Sequence, residues 1–135
     1  MSQENVEAFK RATEAGNRRD VEAMLEELDP EVEWHPAVLA SLAGTGTVYR
    51  GREGVREWMR NMFESFGEVH TEFSEIRDLG DRIVAIGHIR TVGKESGAET
   101  ESPIGYLLDI KSGKATRIRT YLDPKEALEA AGLRE

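Results

Sequence analysis

Val55, Trp58, Met59, Met62, Phe63 and Phe66 fall at i, i+3, i+4, i+7, i+8 and i+11, and from Glu68 onward the apolar period becomes two. The first pattern is one unbroken face of an amphipathic helix near 53–66, with Gly67 expected as its C′ residue. The second belongs to strands that bury one face. A chain that changes period so abruptly has to lay a helical layer against a sheet. Upstream, Val6, Phe9, Ala12 and Thr13 predict a helix over 3–16 behind Ser2 as a cap. Asp20 caps a second helix, 20–28, with Val21, Met24, Leu25 and Leu28 inward. Pro30 stops it, because the residue before a proline is pushed out of the α region.

Residues 31–36 alternate as a short strand with Val32, Trp34 and Pro36 on one face, and Ala37 to Gly51 reads as a loop. Val69, Thr71 and Phe73 share a face that Ile76 leaves, which predicts a bulge or bend near Glu75. Gly80-Asp81 is a tight turn into strand 82–92, whose Ile83, Val84, Ala85 and Ile86 are apolar on both faces, as in mid-sheet. A loop over Lys94 to Ala98 leads to a strand with Thr100, Ser102, Ile104, Tyr106, Leu108 and Ile110 on one side. Lys111-Ser112-Gly113-Lys114 is a hairpin turn. The last strand, 115–122, puts Thr116, Ile118, Thr120 and Leu122 on one face and Arg117, Arg119 and Tyr121 on the other. Asp123-Pro124-Lys125-Glu126 then caps a short helix ending at Gly132.

The 135 residues suit a single domain, 1–135, with one core and room for one ligand-sized cleft. A net charge of −8 opposes binding to phosphate backbones, so no nucleic-acid partner is expected. No apolar run approaches the ~20 residues that cross a bilayer. Met1 to Phe9 lacks the charge and apolar pattern of a signal peptide, so a cytoplasmic setting without membrane contact is expected. Without cysteine there is no disulfide, no thiolate zinc site and no cysteine nucleophile. The three histidines are scattered and no acidic metal loop occurs, so neither metal nor cofactor is expected. Gly44-Thr45-Gly46 lacks the strand–helix context of a phosphate cradle, and Gly51-Arg52-Glu53-Gly54 lacks a lysine–serine pair.

Asp20 to Leu25, continued by Leu28-Asp29-Pro30-Glu31-Val32-Glu33-Trp34, resembles the opening of a SnoaL-like domain of the NTF2-like superfamily. Tyr49-Arg50-Gly51-Arg52-Glu53-Gly54-Val55, Ser112-Gly113-Lys114 and Tyr121-Leu122-Asp123 extend the resemblance over essentially the whole chain. It implies an α+β, cystatin-like roll: a strongly bent antiparallel or mixed sheet, three helices on its concave face and a short C-terminal helix. It further implies that even-numbered residues of the last three strands face a pocket, together with Val32, Trp34 and Pro36. Strand 82–92 would then send Val84, Ile86, His88 and Arg90 inward. Two ionisable residues at consecutive inward positions mark either a polar pocket end or an open, solvated sheet end.

Related isomerases keep a general-base aspartate where this chain has Trp34, and related epoxide hydrolases an Asp–Arg–Asp set where it has His88, Arg90 and Thr120. The strand acids Glu31, Glu33, Glu99, Glu101 and Asp109 all read outward, so neither aspartate-based site is intact. His88 as a base and Tyr106 as a donor to a carbonyl are the candidate catalytic pair. Trp34, Tyr49, Trp58, Met59, Met62 and Phe63 would line a steroid- or polyketide-sized pocket with His88, Arg90, Tyr106 and Thr120. His35 and His70 read as surface residues. The leading function is binding of a small hydrophobic molecule. The alternatives are an isomerase, polyketide cyclase or epoxide hydrolase-like enzyme on a lipophilic ring compound, or a structural dimerisation module. Ile83, Ala85, Ile89, Leu107 and Tyr121 would form an outer apolar patch, with Arg117 and Arg119 near Glu99, Glu101 and Asp109, and so predict a homodimer through the convex sheet face.

Overall fold

The computed structural model describes residues 2–37 and 48–133, Ser2 by its backbone alone. The Ser2 side chain that would make the expected cap, and the Gly44-Thr45-Gly46 loop, therefore lie outside the described part of the chain. The elements are α1 (Ser2–Asn17), α2 (Val21–Glu26), β1 (Leu28–His35), β2 (Tyr49–Arg50), α3 (Gly51–Ser65), β3 (Phe66–Asp78), β4 (Arg82–Gly93), β5 (Glu99–Lys111), β6 (Lys114–Tyr121) and α4 (Pro124–Ala130). One sheet runs β2-β1-β6-β5-β4-β3, antiparallel throughout except that β1 and β6 are parallel. This is the α+β architecture expected, with a mixed sheet.

Local chemistry explains most boundaries. Asp20 accepts the amide of Ala23 and caps α2. That helix ends at Glu26, and Leu28, expected inside it, instead opens β1 as a buried strand residue. Pro30, which has no N–H to give a ladder, sits where the β1–β6 register shifts between Leu28 and Glu33. Gly67 is not a left-handed C′ residue: Phe66 is already extended (φ −124°, ψ 135°) and the chain passes straight from α3 into β3. Ser112 (φ 52°) and Gly113 (φ 79°) make a two-residue hairpin turn with both positions left-handed, the geometry that matches strand twist. Asp123 accepts the Lys125 amide ahead of Pro124, starting α4 as expected.

The core has two parts. On one face of the sheet, α1, α2 and α3 bury Phe9, Met24, Leu25, Val55, Trp58 and Met62 against Val32, Trp34, Ile83, Ala85, Leu108 and Ile118. On the other face, α4 lays Ala127, Leu128 and Ala131 over Val84 and Leu107. The C-terminal helix thus covers part of the outer face of the sheet. Gly105 makes that approach possible, since a Cβ there would lie 2.7 Å from the Ala127 Cβ.

The facing of β4 differs from expectation. β4 and β5 pair as Ala85 with Tyr106, Ile83 with Leu108 and His88 with Pro103, so odd residues of one strand share a face with even residues of the other. Four residues, 94–97, separate the closing pair Gly93 and Ala98, and an even-length loop changes the parity of the inward set. A register shift between Asp109 and Ile110 restores it, so that Tyr106 and Thr120 pair on the inner face. The shift expected near Glu75 is present between Phe73 and Glu75. Ile83, Ala85 and Ile89 therefore belong to the inner face and cannot form an outer patch. Leu107 and Tyr121 do lie outside, Leu107 buried beneath α4 and Tyr121 packed at the edge of that cluster. The outer charges are engaged within the chain: Arg117 Nε lies 2.9 Å from Asp109 Oδ2, and Arg90 reaches Glu99 and Glu68 at 2.8 and 3.1 Å. Among the described residues no helix is long and apolar enough to cross a membrane.

Candidate functional site

Between α1, α3 and the inner face of the sheet lies a cavity of about 120 Å³. α1 presents Phe9 and Ala12, one turn apart on its inward stripe, and α3 presents Trp58, Met59, Met62 and Phe63. The sheet adds Trp34 from β1, Val69, Thr71 and Phe73 from β3, Ile89 from β4, Ile104, Tyr106 and Leu108 from β5, and Ile118 and Thr120 from β6. Aromatic rings form a continuous chain through this wall. Phe9 and Phe73 stand 4.9 Å apart between centroids, Phe73 and Tyr106 5.1 Å, Tyr106 and Trp34 6.0 Å, and Trp34 and Trp58 6.5 Å. The volume is comparable to a cavity of ~150 Å³ that takes up one benzene ring.

Seven of the expected pocket residues line this cavity: Trp34, Trp58, Met59, Met62, Phe63, Tyr106 and Thr120. Three do not. His88 is exposed on the opposite face of the sheet, and Arg90 is on that same face with Glu68 and Glu99. The parity change across the 94–97 loop puts them there, and burial of Ile89 and Thr91 agrees with it. His88 therefore cannot act as a base on anything held in the cavity. Tyr49 is buried behind Trp58, their centroids 5.7 Å apart, and borders a separate surface groove with Arg50 and Glu57. His35 faces outward with its Nε2 3.3 Å from Glu33 Oε1; that contact, with Arg50, holds the Glu33 carboxyl below its usual range. His70 is exposed beside Glu72.

The periodicity of the first helix identifies Phe9 and Ala12 as inward but not as cavity wall, and strand alternation alone puts Ile89 on the outer face. The signal for Ile89 was in the sequence all the same. From His88 to Thr91 the order is polar, apolar, charged, small, and burying the isoleucine costs far less than burying the arginine.

Polar groups in the described wall are few, and most are committed. Thr120 donates its hydroxyl to the His35 carbonyl (2.9 Å) and Thr13 to the Phe9 carbonyl (3.0 Å). The Asn17 amide both gives to and takes from the Thr71 backbone at 2.9 Å, and Asn5 donates to Gly80. Two donors differ. The Tyr106 hydroxyl makes no hydrogen bond with another described residue, and burial pushes its pKa up to about 12, so it stays protonated. The Trp34 Nε1 is buried without a hydrogen-bond partner. Tyr106 is the only ionisable side chain among the described lining residues, so no carboxylate or imidazole there can accept a proton. Among the described residues no group of three acidic, histidine or cysteine side chains could hold a metal ion.

Several solved structures share this fold. An NTF2-like protein of unknown function from Burkholderia pseudomallei is 24% identical, with 93% of this chain and 95% of that one covered and a TM-score of 0.81. TerC, co-crystallised with polyporic acid, is 25% identical over 93% and 96% of the two chains, with a TM-score of 0.80. A protein with a ketosteroid isomerase-like fold from Catenulispora acidiphila, in complex with trimethylamine, is 16% identical over 95% and 94%, with a TM-score of 0.76. No curated protein sequence matches the chain. The model of the SnoaL-like domain matches residues 9–118, from the inward phenylalanine of α1 to the isoleucine of β6 that pairs with Trp34, and the chain belongs to the SnoaL-like domain family.

Proposed function

We propose that this domain binds a small, apolar, ring-bearing molecule in the cavity between α1, α3 and the sheet. The observation that carries the reading is an apolar wall with two tryptophans, three phenylalanines and a tyrosine around a volume of about 120 Å³. Empty apolar cavities of this size leave their lining without contacts on one side, and a ring that fills one restores those contacts. Among the described residues the wall offers no carboxylate or imidazole to accept a proton, which favours binding over the isomerase, cyclase and hydrolase alternatives. The similar structure of TerC was co-crystallised with polyporic acid, which supports a small-molecule-binding role for a chain of this fold.

Toluene tests the reading. Trp34 and Trp58 are the only tryptophans and both line the cavity, so their fluorescence is expected to change on titration. At a hundred times its Kd, toluene should stabilise the fold by about 2.7 kcal/mol. Ala12→Leu, which extends a lining side chain into the space, is expected to abolish both effects with the fold intact. Equal stabilisation of both proteins, or of neither, contradicts the proposal. We also propose, on the resemblance, a homodimer through the outer sheet face, where the buried Arg119 Nε has no partner.

A further inference from the structure

β3, 13 residues long, is the last strand of the sheet and has no neighbouring strand on its outer side among the described residues. A long open edge presents unpaired N–H and C=O groups, a template for another strand, and folds that keep one usually cover it. Here the turn between α1 and α2 supplies the cover. The Asn17 carboxamide donates to the Thr71 carbonyl and accepts the Thr71 N–H, both at 2.9 Å. One side chain thus answers both backbone groups, as a residue of a paired strand would. Next along the edge, the Arg19 guanidinium donates to the Phe66 and Gly67 carbonyls and lies 4.5 Å above the Phe63 ring. Arg19 is held left-handed at φ 62°, a conformation that costs a non-glycine residue and persists only where its surroundings impose it.

The edge beneath that cover matches its own copy. Because both Thr71 backbone groups point outward, the strand period of two points those of Val69 and Phe73 outward as well. Two such edges, run antiparallel about a two-fold at Thr71, would set Val69 opposite Phe73 of the second copy and His70 opposite its Glu72. The first pair is apolar. The second joins imidazole to carboxylate, and both of its residues are exposed. His70 and Glu72 already lie 3.6 Å apart within one strand, so the pairing would close a ring of two imidazoles and two carboxylates. We propose that the β3 edge is a two-fold pairing surface for a second copy of this chain, and that Asn17 and Arg19 keep it covered. This surface is an edge of the sheet, distinct from the outer face on which the homodimer above is placed.

The double variant Asn17→Ala with Arg19→Gly tests this beside the wild type, by sedimentation at matched concentrations and by hydrogen exchange of the Thr71 amide. It removes both covering side chains, while glycine relaxes position 19 and favours folding. In dilute solution the Thr71 amide is expected to exchange about tenfold faster than in the wild type, since its acceptor is gone. On concentration the average mass should rise to about twice that of the wild type or more, and the amide should become protected again. Should the double variant unfold, Arg19→Gly alone carries the same test, with a smaller rise in mass. Adding His70→Glu sets like charges opposite each other across the two-fold and is expected to return the mass to the wild-type value. Faster exchange without any gain in mass would overturn the proposal, because the uncovered edge would then pair with nothing. Unchanged exchange would overturn it too, since Asn17 would not be the cover. A raised mass that survives His70→Glu would overturn the two-fold pairing of β3 with its copy.

Discussion

Tyr106 is the residue whose chemistry is most altered by the fold. Desolvation alone moves its phenol from 10.0 to about 12, with no charge partner involved. The folded chain therefore holds this proton above the pH at which an unfolded tyrosine releases it. Between about pH 10 and 12 the folded state binds more protons than the unfolded one, and stability falls as pH rises through that window. Absorbance titration should show a phenolate step near pH 12 that disappears in Tyr106→Phe, and denaturation of that variant should lose less stability over the same window. A Tyr106→Phe curve that overlays the wild type throughout would contradict the assignment. The neighbouring Trp34 shows the same principle in a group that cannot ionise. Its N–H has nothing to bond, and the domain carries the cost in its interior.

At the level of elements, β4 is the strand on which the site turns. Its two faces are both covered, the inner by the helical layer and the outer in part by α4, so apolar residues occur at both parities. Past Gly87 the pattern resolves into His88 out and Ile89 in. Adjacent substitutions should thus behave very differently: His88→Ala within about 0.5 kcal/mol of wild type, Ile89→Ala destabilised by about 2–5 kcal/mol in chemical denaturation. Comparable losses at the two positions would contradict this register. Two glycines on neighbouring strands give a second contrast. A Cβ at Gly105 would meet the Ala127 Cβ at 2.7 Å, and α4 can shift to relieve it. At Gly87 the Cβ would lie 1.8 Å from the Glu72 carbonyl oxygen, backbone of the paired strand beside the β3 bulge. Gly105→Ala is expected to cost about 1–3 kcal/mol and to recover in part with Ala127→Gly, whereas Gly87→Ala should cost more and find no such rescue. Gly87→Ala as mild as Gly105→Ala would mean that β3 and β4 do not approach so closely.

For the whole molecule, the disposition of α4 changes how association through the sheet would work. A homodimer over the outer face would meet charged residues already paired within each chain, with Leu122, 48% exposed, as the one large apolar side chain left open among the described residues. Its interface would be polar, closed by two-fold self-complementarity, and weakened by salt. Sedimentation of the 15.1 kDa chain is expected to give twice that mass at low ionic strength and a smaller average in high salt. A single-chain mass at every salt concentration would retire the proposal.

What the sequence determined by itself was local and periodic. The stripe from Val55 to Phe66 made α3, Asp20 and Asp123 capped helices, Ser112-Gly113 closed a hairpin, and the slip from Phe73 to Ile76 marked a bulge. Each depends on residues within a few positions of one another. The cavity-facing set on α3 and β5 was legible for the same reason, as were Trp34 and Thr120. The facing of β4 was not, because a strand apolar on both sides has no preferred face until its partners are in place. An even-length loop and a bulge on the next strand then decided it, and with it the exclusion of His88 and Arg90. Only the tertiary structure could bring α4 onto the outer face, bury Tyr49 behind Trp58, and leave the Trp34 indole N–H buried without a partner among the described residues. Those outcomes depend on which distant groups share a space, and sequence spacing carries no measure of that.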